Sequence, residues 1–165
     1  DDQSDRQAHG GYDKAVYAYA DEDRQWWEQE VGRSIEHGGF GENLTTTGVD
    51  VTHALVGEHW RIGSVLFEVS EPRVPCWKLN LRMGDDKFLQ RFNEAVRPGT
   101  YLRIIEEGVL QAGDEIVVVD VPDHDLSVGA IARIYQERDG AARLLEVDQL
   151  SAAWKAWATR TLERS

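Results

Sequence analysis

The sequence predicts a mainly β fold with α-helices, in which a β-rich body gives way to a small helical segment. Three observations carry this. Val65, Phe67 and Val69 alternate with other residues at the period of a half-buried strand. Turn formers and prolines, Pro72, Pro75 and Gly113-Asp114, punctuate the first two thirds of the chain. After Pro122–Asp125 the period lengthens, and Val128, Ile131, Ile134 and Tyr135 fall on one helical face. The expected division is a β domain over residues 1–122 and a helical domain over residues 123–165.

Taken in order, Ala15 to Ala20 alternates weakly and reads as a strand. Asp21 to Arg33 opens with acids that suit a helix N-terminus. Gly38 to Asn43 is too rich in glycine for a regular element and reads as a loop. Trp60 to Ser70 reads as one strand, stopped by Pro72 and Pro75. Asp85 to Arg97 places Phe88, Leu89, Phe92 and Val96 at helical spacing, with Asp85 as the expected cap. Tyr101 to Ile105 is a strand, and Gly113-Asp114 turns the chain into another over Glu115 to Val121. Ser127 is placed to cap Val128 to Glu137, and Ser151 to cap Ala152 to Glu163. Leu144 to Leu150 leaves room for a short helix between them.

Composition excludes several classes. A length of 165 residues fits one domain with at most a small extension. With 41% hydrophobic and 29% charged residues, the chain is neither disordered nor fibrous. Its single cysteine excludes an internal disulfide framework and a multi-cysteine zinc site. No apolar run reaches the length of a membrane span, and a net charge of −12 argues against a nucleic-acid partner. The opening Asp1-Asp2-Gln3-Ser4-Asp5 lacks Met and the basic and apolar regions of a signal peptide. The natural start is therefore expected upstream, and the location cytoplasmic.

The charge is uneven. Residues 1–60 carry a net −9 and residues 111–165 a net −4, but residues 61–110 carry a net +1. That block holds Arg73, Lys78, Arg82 and Cys76. Cations gathered in a concave site raise the local concentration of anions.

From the residues alone, Cys76 reads either as a small buried hydrophobe or as a functional thiolate. It follows prolines that end a strand, stands near an expected turn or helix start, and has Arg73 and Lys78 close by. A thiolate is both a nucleophile and a soft metal ligand. His9-Gly10-Gly11 followed by Lys14 reads either as an ordinary turn or as an anion-binding one. No P-loop, dinucleotide-binding, HExxH or GxSxG pattern occurs. Of the six tryptophans, Trp77 beside Cys76 is the one expected at a pocket.

Four stretches in order resemble the MOSC domain family, named after the C-terminal domain of molybdenum cofactor sulfurase. They are His9 to Tyr19, Gly39 to Thr46, Arg61-Ile62-Gly63 and Glu68 to Leu79, and Gly99 to Gly108 also matches. The nearest branch is the YiiM-like bacterial proteins. The resemblance implies a mainly antiparallel β-barrel followed by a three-helix domain. It implies that Cys76 is the catalytic residue and ligates molybdenum. By the same resemblance, His9, Gly10, Gly11, Lys14, Asn43, Arg73 and Trp77 bind the molybdenum cofactor (molybdopterin). The implied activity is an oxidoreductase that reduces N-hydroxylated nucleobases or related small molecules, using an electron-donating redox partner. By the resemblance, a further strand and a pocket lysine are expected upstream of His9-Gly10-Gly11, before Asp1. Two alternatives stand beside the reductase: a non-catalytic carrier of cofactor or persulfide sulfur, and an interaction module with a structural Cys76.

Overall fold

Strand β1 (Val16–Ala20) alternates tyrosine and alanine, and both faces of it are buried. Ala18 and Ala20 face one apolar core, and Tyr17 and Tyr19 face another. Small residues on one face and aromatic ones on the other let a single sheet separate two cores. The computed structural model describes residues 11–164. Six strands form one mixed sheet, curled into a half-barrel, in the order β2-β1-β5-β4-β3-β6. The others are β2 (Leu44–Thr46), β3 (His59–Ile62), β4 (Val65–Pro72), β5 (Thr100–Glu106) and β6 (Ile116–Asp120). Neighbours pair antiparallel, apart from the parallel β1–β2 pair. The mainly β architecture with helices is as the sequence predicts; the parallel pair and the open side of the sheet differ from an all-antiparallel barrel.

The first core fills the curl of the sheet with Trp60, Phe67, Val69 and Leu102. The second lies between β1 and helices α1 (Asp21–Val31), α2 (Lys78–Met83) and α3 (Phe88–Ala95). It is built from rings: Tyr19 stacks on Phe40 with centroids 4.2 Å apart, and Trp27 lies 4.7 Å from Phe88. The third gathers around Ile131, Leu144 and Trp154, from α4 (Val128–Glu137), a 3-10 turn at Ala141–Leu145 and α5 (Ala152–Leu162). Val56 joins this third core, and Val128 joins the first, so the helical segment is interlocked with the sheet. Backbone bonds from Val128 N–H to Ala54 and from Gly129 N–H to Thr52, at 3.0 and 2.8 Å, hold that junction. A Cβ on Gly129 would stand 2.8 Å from Thr52 Cγ2, so only glycine allows so close an approach.

The caps of α4 and α5 form as predicted, with Ser127 and Ser151 accepting from Ala130 and Trp154 N–H at 3.2 and 3.5 Å. Elsewhere the structure corrects the sequence reading. The expected strand over Trp60 to Ser70 is the hairpin β3–β4, turned at Gly63 and Ser64. The two strands share one period, but the buried positions shift by one across the turn, from Trp60 and Ile62 to Val65, Phe67 and Val69. Asp85 does not cap α3; its Oδ1 accepts from Lys87 N–H at 2.9 Å in the turn between α2 and α3. Helix α2, strand β2 and a 3-10 turn at Tyr12–Lys14 are additional elements. The short helix expected over Leu144 to Leu150 lies earlier, at Ala141–Leu145.

Gly63 has φ of 56°, and a Cβ there would come within 2.5 Å of the Val109 carbonyl. Gly113 has φ of 94° but open space around its Cα. Gly113→Ala is expected to cost about 1–2 kcal/mol of backbone strain alone. Gly63→Ala adds a steric clash to the same strain and should cost clearly more. Urea unfolding of the two variants checks this order; equal losses would contradict the packing of the Val109 loop over Gly63.

Candidate functional site

Strand β4 alternates normally to Val69, but its register with β5 shifts between Val69 and Glu71. The bulge buries Ser70, Glu71 and Pro72 in succession. A bulge of this kind bends the strand and re-aims its side chains. Pro72 and Pro75 lack N–H donors, so the chain leaves the sheet as an extended strap that reaches Cys76. Helix α2 follows. It buries Leu79 and Met83 against the aromatic core, which leaves Lys78 and Arg82, also four apart, on another face. Arg73, Cys76, Lys78 and Arg82, with Leu79 and Leu81, line an open groove of about 530 Å³. Three cations therefore surround one half-buried, unbridged thiol in a chain of net charge −12.

Arg73 is the pivot of the groove. It donates to the Phe40 carbonyl and lies 5.0 Å over the Tyr17 ring. Burial acts to lower its pKa, but the Tyr17 and Tyr101 hydroxyls and Cys76 raise it further, so the guanidinium stays charged. Burial likewise holds the Tyr17 hydroxyl protonated, and it donates to the Pro98 carbonyl at 2.8 Å. Arg82 donates to the Gly38 carbonyl at 2.7 Å, so two guanidinium groups fasten the Gly38–Asn43 loop over the groove. Inside that loop the Glu42 carboxylate accepts from Gly38 and Phe40 N–H at 2.7 and 3.0 Å. Those amides are spent on Glu42 and do not cradle an outside anion.

The strap borders two openings. Pro72 and Val74 line a second pocket of about 300 Å³, together with Lys14, Glu71, Tyr101 and residues of α4 and α5. Glu71 is 4% exposed in its side chain. Its Oε1 stands 3.6 Å from Lys14 Nζ, and its buried Oε2 has no hydrogen-bond partner. Burial pushes the Glu71 carboxyl above the ordinary carboxylate range, partly opposed by the Ser151 hydroxyl and Lys14. Tyr135 and Trp157, 5.1 Å apart, form the facing wall.

Residues 5–117 match the MOSC domain family. The chain belongs to that family. The uncharacterized protein YflK of Bacillus subtilis (strain 168) is 32% identical over 160 residues, 94% of this chain and 72% of that protein. A Gibberella moniliformis (strain M3125 / FGSC 7600) protein named reductase is 33% identical over 141 residues, 83% of this chain but only 25% of its own length. The crystal structure of YiiM from Geobacillus stearothermophilus is similar with a TM-score of 0.87 at 34% identity, covering 93% of this chain and 80% of that one. MOSC domains are associated with binding of the molybdenum cofactor. Among the described residues, no helix is long and apolar enough to cross a membrane.

The MOSC fold brings some of the sequence-predicted residues together and separates others. Cys76 and Arg73 share the groove. Lys14 does not; it lines the second pocket, 5.7 Å from the Tyr101 ring centroid. Asn43 accepts from Tyr17 N–H at 2.9 Å and pins the loop to β1. Trp77 is 63% exposed and is not among the residues lining the groove. Gly11 precedes the 3-10 turn, its carbonyl accepting from Lys14 N–H at 3.1 Å, while His9 and Gly10 lie outside the described residues. Lys78 and Arg82, from the basic block singled out in the sequence, join Cys76 in the groove, whereas Glu71 is not expected at a site. The four-residue spacing of Lys78 and Arg82 beside Cys76 was the available signal; nothing local marked Trp157 or Arg160.

The raised carboxyl of Glu71 has a direction for stability. A raised pKa means that its favourable contribution is complete below the ordinary value of 4.5 and is lost as pH rises through the folded value. Glu71→Gln should therefore gain in stability relative to the unaltered protein as pH rises above 4.5. Urea midpoints of both proteins across that range test this, and a constant difference would contradict it.

Proposed function

We propose that this MOSC protein is an oxidoreductase that binds the molybdenum cofactor through Cys76 and reduces N-hydroxylated nucleobases or related N-hydroxylated compounds. The observation that carries the reading is the groove in which one thiol lies among Arg73, Lys78 and Arg82. A soft sulfur donor suits a soft metal, and cations suit a group bearing phosphate. Among the described residues no three His, Cys, Asp or Glu side chains converge as a metal site. That donor set fits a metal that arrives with its own ligands and takes one thiolate from the protein. It does not fit a bare divalent cation. The kinship to a protein named reductase supports the reaction class.

The net reaction is R–NHOH + 2e⁻ + 2H⁺ → R–NH₂ + H₂O. When bound, the cofactor would supply the two-electron redox chemistry for cleavage of the N–O bond. The chain's own residues bind and orient. Cys76 ligates. Lys78 and Arg82 neutralise the anionic portion. Arg73, held on the Phe40 carbonyl and the Tyr17 ring, fixes the strap that carries Cys76. An electron-donating redox partner supplies the two electrons.

Elemental mass spectrometry of protein made in a cofactor-competent host should find close to one molybdenum per chain, lost in Cys76→Ser. Conversion of an N-hydroxylated purine to its amine should disappear with the metal. No molybdenum in either protein would overturn the reading, and a persulfide on Cys76 without metal would point to a sulfur carrier.

A further inference from the structure

Trp77 is the one exposed tryptophan of six. Others are held by partners: Trp26 lies against Trp27, Trp60 donates to Glu58, and Trp154 lies against Trp157. Among the described residues the Trp77 ring has no such contact. Leu81, four residues on and 67% exposed, stands on the same side of α2. The helix buries only its other face, where Leu79 and Met83 enter the aromatic core. Two large apolar side chains are therefore left in water, and Leu81 lines the groove of Cys76. The charge around them is equally one-sided. Arg73 to Gly84 holds three bases and no acid, in a chain of net charge −12. Asp85, next along, is turned to Arg91 and to Lys87 N–H.

We propose that Trp77 and Leu81, flanked by Lys78 and Arg82, dock an acidic electron-carrier protein. The proposal rests on the reductase reading and supplies the surface through which the two electrons arrive. Two molecules of a reduced one-electron carrier each give one electron. With two protons these convert R–NHOH to R–NH₂ and water, and both carriers leave oxidised. Charge selects the partner: an acidic surface is repelled by the net charge of this chain and attracted at this patch, which steers the encounter. Size selects the kind of complex. Two apolar side chains fall far short of the about 800 Å² per partner of a stable interface, and suit the small, transient contacts of electron-transfer pairs. A second copy of this chain, related by a two-fold axis, would bring its own cations to the same patch, so a symmetric dimer is disfavoured. A central aromatic anchor concentrates binding energy at one residue. Position completes the case. Trp77 is bonded to Cys76, so a carrier seated on it stands one residue from the thiolate assigned to the metal. Trp77 then serves the partner rather than the cofactor.

The full chain, purified without cofactor, is titrated calorimetrically with an oxidised plant-type ferredoxin of acidic surface. Saturable binding is expected at low salt and should be lost at about 1 M salt, where the screening length falls to about 3 Å. Trp77→Ala should weaken it at least about tenfold. Lys78→Glu should weaken it and flatten its dependence on salt. Trp77 is exposed, so the alanine variant keeps its fold, which circular dichroism checks. In protein made with cofactor, Trp77→Ala should hold its molybdenum. No saturable binding, binding indifferent to Trp77→Ala, or molybdenum lost in Trp77→Ala would each overturn the proposal, as would self-association that Trp77→Ala abolishes. Dithionite needs no docking surface and separates the two readings. A loaded protein that reduces an N-hydroxylated purine with dithionite but does not bind ferredoxin keeps the reductase and loses this surface. Ferredoxin binding that Trp77→Ala weakens, in a protein that never takes up molybdenum, keeps the surface and loses the reductase.

Discussion

The register shift between Val69 and Glu71 constrains everything around Cys76. Without the extra residue, Glu71 would keep the alternation of β4 and point away from the side that buries Val69. With it, Ser70, Glu71 and Pro72 are all buried, and the strand ends in a bend. The two prolines then forbid further pairing, so the next residues must cross open space as a strap. Arg73 and Cys76 line one opening and Pro72 and Val74 the other; Cys76, two residues past Val74, departs from strand alternation where the chain turns into α2. One irregularity thus produces both the thiol groove and the carboxyl pocket.

The aromatic core holds the far end of that strap. Leu79 and Met83 anchor α2 among Trp27, Phe40, Phe88 and Phe92. Ring stacking and burial on this scale fix the helix rotation, and the rotation sets where Lys78 and Arg82 stand. The Gly38–Asn43 loop is tied to the same core through Phe40 and to the groove through Arg73 and Arg82. The glycines let it turn, Gly41 at φ of 83°, but its amides serve Glu42. Glycine-rich sequence there marks a shaped loop rather than an anion cradle.

Much of the fold was legible because it rests on local periodicity. β1, β5, β6, α3, α4 and α5 follow from apolar spacing and from serine caps at their starts. The β3–β4 hairpin was not, since the period on either side of Gly63-Ser64 is the same and only the turn chemistry and a one-residue change of phase mark the break. Helix α2 was hidden by its shortness and by the prolines before it. At the site, Cys76 and Arg73 were legible from their neighbours and from a local excess of bases. Lys14 lines the pocket beside Glu71 and not the groove of Cys76, a tertiary placement that no local pattern reports. Tyr135, Trp157 and Arg160 come from a helical segment tens of residues downstream, and no local pattern links them to Glu71.

The two openings also divide the electrostatic work. A groove lined by three cations in an acidic protein focuses negative charge at Cys76 and disfavours cationic ligands there. The second pocket sets Lys14 and Arg160 beside the buried Glu71 among aromatic side chains. The strap between the two openings carries the chain's single cysteine, a soft ligand that only the groove gathers with three cations.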